Sequence, residues 1–329
     1  MNISYKLLLD LVHTQAVSGE EYVIFSYIKN FLRNHKISFK TLKHGDIVVG
    51  NMKSKLLITA HVDEVGFQID KIHDNGICSI KDIGWVYPWL FHGREVQIQT
   101  KNGKIIYGLV IYDKAFDIKI DSWKKIKVDF GFDSVQENKK NGIISGLFGT
   151  YKKSYWETEN RVFASALDNR LSVAMLLDFI VKNPQCLDEG VAFAFTSDEE
   201  MENEGAKKTI PYVNPEYVCV VDIMPHSLLE NAKKLDLKDG PYILDKTLDY
   251  QMPKSWKNIL KDVHYQPLRG KSEYLKNSEP KIFQRKGYEN SINFLTIMAN
   301  YHHGVYSCHT EAIEKSYNAL EEIVKKFYV

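Results

Sequence analysis

Short, almost unbroken apolar runs at Leu56–Ala60, Val191–Thr196, Tyr217–Val221 and Ile292–Ile297 restrict this 329-residue chain more than any other feature. A run of five or six residues without polar alternates cannot face water on either side, so each reads as a parallel strand covered on both faces. The covering helices are also visible. Ile24, Ile28, Phe31 and Leu32 share one helix face behind Ser18-Gly19-Glu20-Glu21, which reads as a capping box. Leu171 to Val181 is apolar nearly all round and reads as a buried helix, and Ile313, Tyr317, Leu320, Val324 and Phe327 mark a C-terminal one. The fold class is therefore α/β, a doubly wound, mostly parallel sheet with helices on both faces.

Between residues 69 and 158 the pattern changes to short alternating runs divided by turns. Val96–Thr100 and Lys104–Tyr107 flank Asn102-Gly103 as a hairpin, Asn75-Gly76 marks another turn, and Lys127–Phe130 reads as a strand. This predicts an inserted small β-barrel or sandwich, so the division is 1–68 and 159–329 for the α/β body and 69–158 for the insert. The segment 233–286 is the least legible, with a helix expected near 255–263.

Lys and Arg number 43 against 42 Asp and Glu, so no global field favours nucleic acid or an anionic membrane. The N-terminal Leu-rich stretch is interrupted by Asp10 and His13, which argues against a signal peptide or spanning helix. Cys78, Cys186, Cys219 and Cys308 are scattered without a CxxC pair, and a cytoplasmic location is the default expectation.

Polar residues collect where the strands end. His61 and Asp63 follow the first run, Asp198-Glu199-Glu200 the second, and Asp222 the third, while Asp168 precedes the buried helix and His309 lies beyond the last run. In an open parallel sheet, ligands bind outside the carboxyl ends of the strands, so these residues can converge. Two imidazoles with Asp168, Glu200 and Asp222 suit zinc, cobalt or manganese. Three carboxylates carry about minus three charges, which two divalent cations sharing a carboxylate and a hydroxide would bring near neutrality. Each element alone has a plainer reading. A single histidine at a strand end is commonly a hydrogen-bonded core or surface residue, Asp168 is a good helix cap, and Asp198–Glu200 fits a solvated acidic loop. His302 and His303 read as solvated loop histidines.

The blocks resemble the glutamyl and deblocking aminopeptidases, the tetrahedral (TET) family of dinuclear zinc peptidases. Ala60-His61-Val62-Asp63-Glu64-Val65-Gly66-Phe67 is similar to the family's AHxDEVGF block and Ala166–Arg170 to its ALDNR block. Thr196–Ala206 is similar to TxQEEVGxRGA, Val221-Asp222 to the VD strand end, Ser307–Glu311 to the HSxxE close, and Val128–Ser134 to the DIGAxS segment of the insert. Glu202, Glu204 and Cys308 depart from the pattern.

The resemblance implies that His61 and Asp222 hold one metal, Glu200 and His309 the other, and Asp168 bridges them. It gives Glu199 the role of general base and places Asp63 behind His61. The implied reaction is hydrolysis of the N-terminal peptide bond of a substrate with a free amine, through a hydroxide shared by the metals. A homo-oligomer, dimer to dodecamer, is implied by the insert's likeness to the family's dimerisation domain. The alternatives are a dinuclear hydrolase on another acyl group, such as a carboxypeptidase or N-deacylase, and a catalytically silent metal-binding scaffold. HExxH, GxSxG and P-loop motifs are absent from the sequence.

Overall fold

The four apolar runs become neighbouring parallel strands, in the order Val191–Thr196, Leu56–His61, Tyr217–Pro225 and Ser291–Met298. They form the centre of an eight-stranded sheet in a computed structural model that describes residues 4–112, 122–226, 236–247, 250–269 and 279–328. Antiparallel strands Ile47–Gly50 and Phe39–Thr41 extend one side. Tyr242–Lys246, antiparallel to the Ser291 strand, and then Gln266–Arg269 extend the other.

Alternate side chains of the central strands enter two separate cores, as the period of two in a strand requires. Ile58, Phe193 and Cys219 pack with residues of the helices Tyr5–His13, Tyr22–Asn34, Leu167–Lys182 and Thr310–Lys325. Leu57, Ala192 and Val218 pack with Ala206 and Ile210 of helix Glu204–Val213 and with Phe283 of helix Glu279–Arg285. The first helix is more regular than its interruptions suggest. Leu7, Leu8, Leu11 and Val12 form its buried face, while His13 is exposed.

The insert is a closed barrel of six strands, in the order Gly66–Ile72, Cys78–Ile83, Ile126–Asp129, Ile105–Tyr112, Glu95–Gln99 and Phe148–Tyr151. The Asn102-Gly103 hairpin forms with Gln97 opposite Tyr107. Phe67 and Phe91 are fully buried in the barrel core. Gly149 is required there, because a Cβ at that position would come within 2.3 Å of the Phe67 ring.

Two local expectations need correction. Helix Tyr22–Asn34 has Glu21 at its cap position and receives no side-chain cap, because the Ser18 hydroxyl donates instead to Asp63 Oδ2 at 2.6 Å. The helix near 255–263 is shorter, Lys254–Ile259, and tightens into a 3-10 turn at Leu260–Asp262. Parts of 233–286, namely 233–235, 248–249 and 270–278, lie outside the described residues. Among the described residues no helix is long and apolar enough to cross a membrane.

Body and barrel are joined by a buried ion network on Glu64, the residue after Asp63. Its carboxylate accepts from the Ala16 amide at 3.0 Å, Thr150 Oγ1 at 3.1 Å, Arg170 Nη2 at 3.2 Å and Lys153 Nζ. Burial opposes ionisation of Glu64, but Lys153 and Arg170 hold its pKa below the usual carboxylate value. Removing one partner from such a group leaves uncompensated charge in the interior. Glu64→Ala is therefore expected to destabilise the fold by about 3–5 kcal/mol, measured by urea unfolding, whereas a loss no larger than that of an exposed Glu→Ala would contradict this role.

Candidate metal centre

Parallel register brings the polar strand ends to one level. His61 sits opposite Thr196, and Val220 opposite Thr59, so Asp222 emerges beside His61. Asp168 arrives from the kinked, non-helical first turn of the helix Leu167–Lys182, held because Asn169 Nδ2 donates to the Val221 carbonyl at 2.9 Å. His61 Nε2 lies 3.2 Å from Asp168 Oδ1, 3.6 Å from Asp222 Oδ1 and 4.0 Å from Glu199 Oε2. On the other side of Asp168, His302 Nε2 lies 3.8 Å from Asp168 Oδ2 and 3.5 Å from Glu200 Oε2. Two groups able to hold a metal result, His61–Asp168–Asp222 and Asp168–Glu200–His302, with Asp168 in both.

His309 is in neither group. The short strand Tyr306–His309 pairs with Arg161–Ala164, placing His309 opposite Arg161 and at the cap of the last helix, where its Nδ1 accepts from the Glu311 amide at 3.2 Å. His302 stands where His309 was expected, and it is buried rather than solvated, at 1% exposure. The turn that carries it has left-handed backbone at Asn300 (φ 65°) and His302 (φ 57°). The barrel fixes the residue twice. His302 Nδ1 donates to the Trp85 carbonyl at 2.9 Å, and the Tyr151 hydroxyl donates to the His302 carbonyl at 2.9 Å. A sequence signal existed, because His302 is the first ligand-type residue after the Ser291–Met298 strand, whereas His309 comes a further strand later.

Asp63 organises the acidic loop. Its two oxygens accept from the amides of Glu199 and Glu200, both at 3.1 Å, and from Ser18, while His61 Nδ1 lies 3.4 Å from Oδ1. Burial opposes its ionisation, yet His61, Ser18 and the Glu199 amide hold its pKa below the usual value. Asp198 folds the same loop onto the following helix, its Oδ2 accepting from the Glu204 amide at 3.3 Å. Ser197 is anchored by Asp46, whose Oδ1 accepts from its amide at 3.1 Å and its hydroxyl at 2.8 Å.

The charges show what kind of ligand the cluster suits. Burial, then repulsion from Asp168, pushes the Glu200 carboxyl well above its ordinary pKa. Asp168 is raised by burial and by Asp222, against the pull of His61. Burial opposes the charged ring of His61, but Asp168, Asp222, Asp63 and Glu199 hold its pKa well above the usual histidine value. Burial lowers His302 to about 4, so it is a neutral donor at pH 7. Its Nε2 and Glu200 Oε1 are buried without hydrogen-bond partners. Neutral imidazoles and crowded carboxylates with open lone pairs are the donor set that a divalent cation takes.

The M42 glutamyl aminopeptidase family model matches residues 46–318 of the chain. This chain belongs to the M42 glutamyl aminopeptidase family. An Escherichia coli K12 protein named as an aminopeptidase, FrvX, is 30% identical over 68% of this chain and 64% of its own length, so the match spans less than two thirds of that relative. The fold matches a TET aminopeptidase from a Thaumarchaeota archaeon with a TM-score of 0.87, 18% identity and coverage of 99% of this chain and 97% of the other. It also matches the Pyrococcus horikoshii TET1 peptidase, described as assembling into a tetrahedron or a large octahedral shell, with a TM-score of 0.82 and 22% identity over 97% and 98% of the chains.

Two tests follow from the geometry. His302→Ala is expected to weaken the zinc-induced rise in melting temperature by at least about tenfold in zinc concentration, whereas His309→Ala retains it. The reverse pattern would return the ligand role to His309. Glu21, whose Oε1 accepts from the Gly19 and Asp198 amides at 2.9 and 3.3 Å, has its pKa raised to about 7, first by burial and then by Asp63. A raised folded-state pKa gives stability that is complete below the unfolded value and is lost as pH rises through 7. In metal-free protein, Glu21→Gln is expected to unfold like the native chain at pH 4 but to be about 3 kcal/mol more stable at pH 8. Equal stability at pH 8 would contradict it.

Proposed function

We propose that the chain is a metal-dependent aminopeptidase, hydrolysing the first peptide bond of substrates with a free N-terminus. The observation that carries this reading is the single carboxylate, Asp168, shared by two largely buried ligand groups with Glu199 beside them. His61 and Asp222 would hold one divalent ion, Glu200 and His302 the other, and Asp168 both. Zinc fits the mixed imidazole and carboxylate set, with cobalt or manganese as substitutes. When bound, such ions supply Lewis acidity toward the scissile carbonyl and lower the pKa of a water.

The remaining chemistry falls to side chains. Glu199, next in sequence to the ligand Glu200, takes the proton of the attacking water and delivers it to the leaving amine. Asp63 fixes the ring of His61 and, through the amides of Glu199 and Glu200, keeps base and ligand in register. The buried carboxylates attract a protonated substrate amine, which favours cleavage at the N-terminus.

The body is read as a doubly wound unit and the barrel as a separate one, the expected boundary at 68/69 moving back to the start of the first barrel strand at Gly66. Support for the first comes from the two cores flanking the sheet. A homo-oligomer is supported by the row Ile105, Tyr107 and Leu109, exposed on one barrel strand. The setting we infer is cytoplasmic, in keeping with four buried free cysteines.

Glu199→Gln is expected to keep its bound metal while kcat on aminoacyl substrates falls about 100- to 10,000-fold. Turnover within a few fold of wild type in the folded variant would remove Glu199 from this role. Cleavage of N-acetylated substrates as fast as free ones would favour the other acyl hydrolases.

A further inference from the structure

The barrel loop that fixes His302 also carries a group of aromatic rings for which the site described so far has no use. Trp85, Tyr87 and Trp89 are 80%, 68% and 52% exposed. Large exposed rings in one patch mark a binding surface more often than chance. Their neighbours Val86, Leu90 and Phe91 are buried in the barrel core, and Trp123 Nε1 donates to the Val86 carbonyl at 3.3 Å. The loop is thus anchored at alternate positions, with its other side chains turned outward.

Its contacts place it beside the Glu200–His302 half of the metal centre. The Trp85 carbonyl accepts from His302, whose opposite ring nitrogen lies 3.5 Å from Glu200. The Gly84 amide lies 3.0 Å from Met201 Sδ, on the residue directly after Glu200. The Trp89 ring meets His303 edge-on with centroids 5.9 Å apart, and Tyr87 stacks on Trp89 at 5.9 Å. The loop therefore touches both sides of the Glu200–His302 half of the site.

We propose that Trp85, Tyr87 and Trp89, with Met201, form an apolar shelf that binds the leaving side of the substrate, preferring peptides with an aromatic or large aliphatic second residue. This rests on the aminopeptidase reading for its direction. The substrate amine and first residue lie inward among the buried carboxylates, so the chain beyond the scissile bond runs outward over the loop. Rings this exposed are suited to a side chain that lies across them rather than one enclosed in a pocket. Offset or edge-on contact with an indole adds to the burial of an aromatic side chain.

The test compares Ala-Phe-Ala with Ala-Gly-Ala as substrates of the metal-loaded protein. The wild type is expected to favour the Phe peptide by about tenfold in kcat/KM. The Trp85→Ala/Trp89→Ala variant should lose most of that ratio, and Trp85→Phe/Trp89→Phe should retain it. The same ratio in the Ala variant, or equal kcat/KM for the two peptides when the wild type cleaves both, overturns the shelf. So does a variant whose assembled mass changes while the ratio stands, since the rings would then serve contact with a second copy. Calorimetric titration with the uncleavable reduced-bond forms of the two peptides separates this from the broader reading. If nothing is cleaved but the Phe form still binds more tightly in a Trp-dependent way, the shelf stands and the aminopeptidase reading fails. Equal binding of both forms overturns the shelf.

Discussion

The Asp63 carboxylate, fully buried behind His61, accepts hydrogen bonds from the Ser18 hydroxyl and from the amides of Glu199 and Glu200. Three stretches far apart in sequence thereby meet at one side chain: the N-terminal segment, the end of the Leu56 strand and the acidic loop after the Val191 strand. A buried carboxylate must be matched by donors or it destabilises the fold. The backbone of the acidic loop supplies those donors, so the loop that satisfies Asp63 also aims Glu199 and Glu200. Geometry at the metal centre and stability of the surrounding fold are in this way the same requirement.

Charge sets the second constraint. Asp168, Glu200, Asp222 and Glu199 crowd around two histidines, one with its pKa driven up and one driven down to about 4. The carboxylates around His61 favour positive charge at its ring, while burial keeps the His302 ring neutral beside Asp168 and Glu200. Cations would supply positive charge and relieve the repulsion.

Much of this was legible from residues alone. Runs such as Leu56–Ala60 report burial on both faces, and parallel strands bring their ends together, so His61, Asp168, Glu200 and Asp222 could be grouped although up to 161 residues separate them. The hairpin at Asn102-Gly103 was visible because turn chemistry is local. His302 was not, since its burial depends on a left-handed turn and on two bonds to the barrel, none of which leaves a periodic trace. Ser18 misled for the converse reason: a capping pattern fits it, but a distant carboxylate takes its hydroxyl. Asp198, part of a run that also fits a solvated acidic loop, ties that loop to the following helix through the Glu204 amide.

The barrel is more than an appendage to the α/β body. It holds His302 through Trp85 and Tyr151, meets the Asp168 turn through Glu64, Lys153 and Arg170, and carries exposed rings on the loop that contacts His302. In the proposed centre Asp168 joins two cation positions, one completed by His61 and Asp222 and the other by Glu200 and His302. Anomalous diffraction at the zinc edge from zinc-loaded crystals tests it most directly. Two peaks flanking Asp168, one against each of those pairs, are predicted; a single peak, or a second peak coordinated by His309 instead of His302, would contradict it.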